Sequence, residues 1–284
     1  MSRPWITIVA VLGVGGIVAG SYLLVDTVTE SRALRQSTAV VAPTATGSAP
    51  PGPTPTVRAG DPGDRAASEL VRRLGPERGG PFGARITSGS AQVALTFDDG
   101  PDPRYTPQVL ALLRRQQVRA TFCVVGVNVR AHPELVRAIA DDGHTLCNHS
   151  WSHDVRLGRR SPAAIMADLT RTNRAIQAAV PGAEIGYFRQ PGGAWTRAVV
   201  TVAGRLGMTS LHWAVDPRDW TRPASGTISR VVTSGVRPGS IVLLHDAGGD
   251  RRETVKALHP MVTSLRQRFS LSALPTGNGP AVAP

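Results

Sequence analysis

Short apolar runs alternate with amphipathic helical patterns between Gln92 and about Ala273, and this alternation restricts the possible folds more than any other feature of the chain. Repeated strand–helix units predict an α/β fold in which helices cover a parallel sheet. The predicted strands cover residues 93–97, 120–125, 145–147, 187–188, 209–215 and 241–244. The predicted helices cover residues 106–116, 133–142, 162–180, 196–206, 227–234 and 253–267.

The N-terminal segment determines where the rest of the 284-residue chain is placed. Arg3 precedes an uncharged run over residues 5–25. About 20 apolar residues can span a bilayer as a helix, so residues 1–30 are predicted to form a membrane anchor. The small residues at positions 19–21 leave a cleaved secretory signal as the alternative. Both interpretations predict an extracytoplasmic protein, either anchored by its N-terminal helix or secreted.

Composition divides the remainder into three further segments. Residues 31–90 are predicted to be a linker rich in Pro, Ala and Thr, disordered over most of its length because it lacks enough apolar surface to fold. A short helical pattern at 67–74 leads into the folded region. Residues 91–274 are predicted to form one catalytic domain, and residues 275–284 a loose C-terminal tail.

The formal net charge is +12, which favours anionic partners. Lys256 is the only lysine, so nearly all of the positive charge comes from arginine. Aromatic residues make up only 5% of the chain and do not interleave with a basic run. We therefore expect no nucleic-acid partner. We also expect the protein to be a monomer.

Ionisable residues follow five of the predicted strands. In parallel α/β folds the C-terminal ends of the strands lie at one edge and carry the chemistry, so these residues are expected to converge. The clusters are Asp98 and Asp99, His149 and His153, Arg189, Asp219, and His245.

His149 and His153 are four residues apart, a spacing that aims both imidazoles at one point. Two histidines and a carboxylate form a three-ligand metal site that leaves positions open for water and substrate. Adjacent side chains in extended backbone point in different directions, so one of the two aspartates can bind the metal while the other faces the metal-bound water. Asp98 is the candidate for the base that faces this water. This ligand set suits a divalent ion such as Zn²⁺, Co²⁺, Mn²⁺ or Ni²⁺.

Hydrolysis of an amide also requires an acid for the leaving nitrogen, and His245 is the candidate. Arg189 beside Asp98 would favour the charged form of that base, and Asp219 beside His245 would keep the imidazole protonated. An ordinary ion pair or loop hydrogen bonds are the alternative for Arg189 and Asp219.

These five clusters, in this order, resemble the polysaccharide deacetylases that share the NodB homology domain (carbohydrate esterase family 4), over about residues 92–273. Thr96-Phe97-Asp98-Asp99-Gly100 resembles the first motif, which implies that Asp98 is the base and Asp99 a metal ligand. His149-Ser150-Trp151-Ser152-His153 resembles the second, which implies that both histidines are ligands.

The remaining motifs imply further roles. Arg189-Gln190-Pro191 resembles the third motif, whose arginine holds the base. Asp216-Pro217-Arg218-Asp219-Trp220 resembles the fourth motif, whose second aspartate tunes the catalytic histidine. Leu243-Leu244-His245 resembles the fifth motif, whose leucine lines the acetyl-methyl pocket and whose histidine is the acid. Where the family often has an aromatic residue after the proline, this chain has Gly192-Gly193. The resemblance implies that the Gly192 amide helps to hold the oxyanion.

Three tryptophans are candidates for the substrate groove. Trp151 and Trp220 are both candidates to line it. Trp195 is a candidate replacement for the aromatic residue that Gly192 lacks, and packing in the core is the alternative for all three.

The resemblance also implies a distorted (β/α) barrel with seven strands, which the sequence pattern alone does not distinguish from an open sheet. Cys123 and Cys147 would lie on neighbouring strands of that barrel, so an exported domain is expected to join them in a disulfide. Two buried free thiols are the alternative.

The expected activity is metal-dependent removal of N-acetyl groups from a polysaccharide that contains N-acetylglucosamine (GlcNAc), either peptidoglycan or chitin and chito-oligosaccharides. O-deacetylation of xylan by the same machinery is one alternative. A catalytically inactive carbohydrate-binding protein of the cell wall is the other.

Overall fold

The structure is a computed structural model that describes residues 79–276. Its strands are β1 (Ala94–Asp98), β2 (Thr121–Val124), β3 (Thr145–Asn148), β4 (Tyr187–Phe188), β5 (Thr209–Ser210) and β6 (Ile241–His245). Its α-helices are α1 (Thr106–Arg115), α2 (Gly126–Ala131), α3 (Pro133–Asp141), α4 (Pro162–Ala179), α5 (Arg197–Arg205), α6 (Ser225–Gly235) and α7 (Arg252–Arg266). The α/β prediction is confirmed.

All six strands are parallel and form one curled sheet in the order β5-β4-β3-β2-β1-β6. Isolated bridges connect its two edges. Val215, which follows β5, pairs with Val242 of β6, while Arg85 pairs with Leu211 and Thr87 with Ser240. The sheet is therefore a half-barrel whose edges approach each other.

The expected seven strands are wrong, since residues 79–276 contain six. The gap between β5 and β6 is bridged at single residue pairs by the segment around Arg85 and Thr87, which builds no continuous ladder. The strand predicted at 209–215 is shorter in the structure, because regular pairing covers only Thr209 and Ser210.

Side-chain alternation along the strands separates the core into two surfaces. One set of strand residues packs in the main hydrophobic cluster together with residues of the helices: Leu95, Phe97, Phe122, Val124, Leu146, Val242 and Leu244. The alternate positions form a separate inner cluster: Ala94, Cys123, Cys147, Tyr187 and Ile241, together with Leu211 just after β5. Asp98 and His245 continue this inner register at the C-terminal ends of β1 and β6.

A disulfide joins Cys123 of β2 to Cys147 of β3. The two residues are direct partners in the parallel register, and both are fully buried. The bond therefore lies in the inner cluster, and it agrees with the disulfide expected from the family resemblance.

The six predicted helices are present, with ends within two residues of those expected. The hydroxyl groups of Ser161 and Thr196 accept hydrogen bonds from the amides of Ala164 and Val199, which caps α4 and α5 at their N-termini. Helix α2 was not predicted, because six residues are too few to show a helical period.

Within residues 79–276, no helix combines the length and the hydropathy needed to cross a bilayer. The predicted anchor or signal segment (1–30), the helical pattern at 67–74 and most of the predicted tail lie outside the described residues. The segment boundaries stated above stay predictions.

Replacement of Phe122 by alanine tests the core. Its ring is fully buried and stacks on Phe97 with 5.1 Å between ring centroids, so Phe122→Ala is expected to lower the free energy of unfolding by about 3–5 kcal/mol. Phe82 is 51% exposed, so Phe82→Ala, the matched control, should change it by less than about 0.5 kcal/mol. Urea denaturation followed by circular dichroism measures both, and equal effects would contradict this packing.

Candidate active site

The structure brings the predicted site residues to the C-terminal ends of the strands. Asp98 and His245 are the last residues of β1 and β6 and are direct register partners. His149 follows β3, and Arg189 follows β4. Since these strands belong to one parallel sheet, their C-terminal ends deliver the four side chains to one edge.

Asp99, His149 and His153 form a compact cluster in which one ligand atom from each lies within 4.8 Å of the others. The distances from Asp99 Oδ1 are 3.5 Å to His149 Nε2 and 3.2 Å to His153 Nε2. Asp99 and His153 have φ angles of 76° and 55°, and these left-handed conformations turn the chain after β1 and within the histidine loop. Asn128 Nδ2 donates to the Asp99 carbonyl at 2.8 Å and anchors that turn.

The donor atoms in this cluster fit a cation. His149 Nδ1 lies 2.8 Å from the Arg189 carbonyl, which can only accept, so Nδ1 carries the proton and Nε2 faces Asp99. Asp99 Oδ1 is buried without a hydrogen-bond partner. Burial raises the pKa of Asp99, but the adjacent imidazole of His149 and the charges of His245 and His153 outweigh burial and lower that pKa to about 2. Three ligand atoms without another partner thus point at one position.

Arg189 is fully buried and forms an ion pair with Asp98, with 2.7 Å between Nη1 and Oδ1. Nη1 also donates to Thr96 Oγ1 at 2.7 Å, and Nε and Nη2 donate to the Leu211 and His212 carbonyls. The guanidinium therefore links β1 to the segment after β5, and it fixes the orientation of the Asp98 carboxylate.

Asp219 is fully buried and holds His245 through both carboxylate oxygens. Oδ1 lies 2.7 Å from His245 Nδ1, and Oδ2 accepts from the His245 amide at 2.9 Å. Thr254 Oγ1 donates to Oδ2 as well. Burial lowers the pKa of His245, but the hydrogen bond and charge of Asp219 outweigh it and raise that pKa to about 9. His245 is therefore protonated at neutral pH.

Two buried residues of the loop after β6 were not predicted. Asp246 accepts a hydrogen bond from Thr106 Oγ1, and burial raises its pKa to about 7. Arg251 donates to the carbonyls of Asp219, Ala247 and Gly248. Both residues brace the loops that carry Asp98, Asp99 and Asp219. In the sequence, the position of Asp246 next to His245 was the only indication of its role, and no sequence feature indicated the role of Arg251.

The three predicted substrate residues lie within three residues of these pairs along the chain. Gly192 is exposed in the 3₁₀ turn Pro191–Gly193, with φ 61°. Leu243 is buried on β6 with the same strand parity as His245. Trp220 follows Asp219 directly and is 46% exposed.

The other two candidate tryptophans, Trp195 and Trp151, do not form an exposed wall of a groove. Trp195 is only 7% exposed and packs in a second core cluster against Phe188. The ring of Trp151 lies close to the guanidinium groups of Arg171 and Arg130, at 3.6 and 5.2 Å from the ring centroid. Packing therefore accounts for both rings.

The polysaccharide deacetylase family model matches residues 85–211 of the chain. Over 200 residues the chain is 40% identical to the chitooligosaccharide deacetylase of Bradyrhizobium sp. (strain ANU 289), and the alignment covers 66% of this chain and 91% of that protein. The chain belongs to the polysaccharide deacetylase family. The resemblance inferred from the five motifs is confirmed.

Two further matches extend the comparison. Over 178 residues the chain is 38% identical to the peptidoglycan-N-acetylglucosamine deacetylase of Bacillus cereus (strain ATCC 14579), and the alignment covers 62% of this chain and 82% of that protein. A wild-type CE4 family pseudoenzyme from Bacillus anthracis superimposes with a TM-score of 0.60 at 30% identity, covering 65% of this chain and 64% of that chain.

Replacement of Asp219 by asparagine tests the histidine pair. Asp219→Asn removes the charge that raises the pKa of His245 and leaves burial, which lowers it, so this imidazole should lose its proton at a lower pH than in the wild type.

NMR titration of the metal-free full chain measures the change. The control Asp216→Asn should move the pKa of His245 much less, since the Asp216 carboxylate accepts from the Arg218 amide instead. A pKa that stays near 9 in Asp219→Asn would contradict the assigned pairing.

Proposed function

We propose that this member of the polysaccharide deacetylase family is a metal-dependent hydrolase that removes N-acetyl groups from a GlcNAc-containing polysaccharide, either peptidoglycan or chitin and chito-oligosaccharides. One observation carries the proposal: a three-ligand cluster lies beside two buried acid–base pairs of opposite polarity, Asp98–Arg189 and His245–Asp219. A site of this kind has what amide hydrolysis requires.

Asp99, His149 and His153 would hold a divalent ion, for which Zn²⁺ is the first candidate and Co²⁺, Mn²⁺ and Ni²⁺ also suit the ligands. Such an ion polarises the amide carbonyl and lowers the pKa of a bound water molecule. The unpartnered Asp99 Oδ1 and the free Nε2 of His149 support this assignment.

Asp98 is the proposed base. Its Oδ1 is engaged by Arg189, while Oδ2 lies 3.6 Å from His149 Nε2, on the side of the proposed ion. Oδ2 would accept the proton of the attacking water. His245 is the proposed acid: Asp219 holds Nδ1, so Nε2–H would donate to the leaving nitrogen.

Gly192 and Leu243 are proposed to contact the acetyl group. The amide of Gly192 would donate to the oxyanion, because Gly192 is exposed in its turn. The apolar side chain of Leu243 would line the methyl pocket, since it shares the strand parity of His245. Trp220 would line the polysaccharide groove through its exposed ring.

The cell envelope is the proposed location. The peptidoglycan deacetylase among the relatives supports an envelope substrate, and the buried disulfide supports an oxidising compartment. The apolar N-terminal run would anchor the chain, or direct its secretion if it is cleaved. We expect the polysaccharide to be the main partner of a monomeric enzyme.

The substrate class is tested by acetate release from chitotetraose, peptidoglycan and acetylxylan, with the purified full chain before and after removal of metal by a chelator. We expect release from the N-acetylated substrates, loss of activity with the chelator, and recovery with Zn²⁺.

Release from acetylxylan alone would favour the O-deacetylase alternative. Binding of chitotetraose without any acetate release would favour an inactive carbohydrate-binding protein. The Bacillus anthracis pseudoenzyme is a precedent for the inactive state, since it is described as a pseudoenzyme of the CE4 family. The complete set of ligand and acid–base residues argues against the second alternative.

The division between base and ligand is tested by two variants. Asp98→Asn should lower kcat by at least about 10²-fold and keep its metal, since Asp98 is proposed as base and not ligand. His153→Ala should lose metal. His132→Ala is the matched control, because His132 lies next to Glu134 outside the cluster and should keep both properties. Elemental analysis and acetate release measure the set, and metal loss in Asp98→Asn would overturn the assignment.

A further inference from the structure

The turn that carries Gly192 leaves a space that a distant side chain fills. A Cβ atom added at Gly193 would lie 2.8 Å from Cη2 of Trp213, closer than real Cβ contacts come. Gly193 also has φ 62°, a conformation that side chains disfavour. The absence of a side chain at this position therefore lets the Trp213 ring pack directly against the turn.

Trp213 packs on one aromatic neighbour, His212, which Trp195 in turn orients. The His212 and Trp213 rings lie 4.0 Å apart between centroids, with 37° between their planes. Trp195 Nε1 donates to His212 Nδ1 at 3.1 Å, so His212 has a defined tautomer and orientation. The buried Trp195 thus positions His212, and His212 positions Trp213.

The Trp213 ring is also close to the arginine that holds the proposed base. Its centroid lies 6.0 Å from the guanidinium carbon of Arg189, the residue that holds Asp98. The ring packs partly against the inner cluster that contains the disulfide, yet it is only partly buried. The partly exposed ring therefore lies beside both Arg189 and the Gly193 turn.

We propose that Trp213 is a specificity-determining residue whose accessible ring face receives a pyranose ring of the N-acetylated polysaccharide, with Gly193 providing the room it needs. The substrate class in this inference rests on the proposed function. A flat aromatic face covers the C–H groups of a pyranose, and a ring already immobilised by its neighbours loses little entropy on binding.

The inference is tested by calorimetric titration of chitotetraose into the zinc-loaded full chain carrying Asp98→Asn, which prevents turnover. Adding Trp213→Ala should raise Kd roughly tenfold, and Trp213→Phe should restore most of the affinity, because it keeps a flat ring. Unchanged affinity in Trp213→Ala would overturn the inference. If Trp213→Ala does not fold, Kd is measured for Trp213→Leu instead. Leucine keeps apolar volume without a flat face, so this variant should also weaken binding, and unchanged affinity would overturn the inference.

A pair of glycine variants separates a groove role from general stability. Gly193→Ala should displace the ring and weaken binding. Gly182→Ala has a similar positive φ of 81° but nothing within 4 Å of the added Cβ, so it should lower stability without changing Kd. Equal Kd values in the two variants would contradict the proposed role of Gly193.

The two proposals fail in different ways. A wild-type chain that releases no acetate, while its chitotetraose binding depends on Trp213, would overturn the deacetylase activity and support the ring as a sugar-binding surface. Acetate release together with chitotetraose binding that does not depend on Trp213 would support the deacetylase activity and overturn the role proposed for Trp213.

Discussion

The buried guanidinium of Arg189 is the interaction on which the rest of the site depends. A charge without access to water must be fully compensated, and Asp98, Thr96 and two main-chain carbonyls compensate it here. Its own carbonyl faces Nδ1 of His149 and so determines which nitrogen of that ring faces Asp99. One residue after β4 therefore positions both the proposed base and a proposed metal ligand.

The site contains two charge pairs of opposite arrangement. A cation, Arg189, holds the carboxylate of Asp98, and a carboxylate, Asp219, holds the imidazole of His245 and raises its pKa to about 9. Asp98 and His245 are register partners on adjacent strands, so a proton acceptor and a proton donor occupy neighbouring strand ends. This arrangement suits a reaction that removes a proton from water and delivers one to a leaving nitrogen.

Strand alternation explains what the sequence could predict. The apolar runs placed Asp98, His149, Arg189 and His245 at strand ends, and parallel topology brings such ends together. Residues that act through tertiary contacts had no comparable signal: Arg251 donates to carbonyls from separate loops, and Trp213 is recognisable only from its packing on Gly193. The seventh strand that the family resemblance implied is absent from residues 79–276, where the contacts between β5 and β6 are single pairs.

Crystallography of the full chain with Zn²⁺ and acetate, using anomalous data at the zinc edge, tests the central claim most directly. The account predicts one strong peak at about 2.0–2.2 Å from a carboxylate oxygen of Asp99 and from an imidazole nitrogen of each of His149 and His153. It also predicts that acetate lies beside this peak, with its methyl group toward Leu243. A zinc peak elsewhere, or a site that includes Asp98 in place of Asp99, would contradict it.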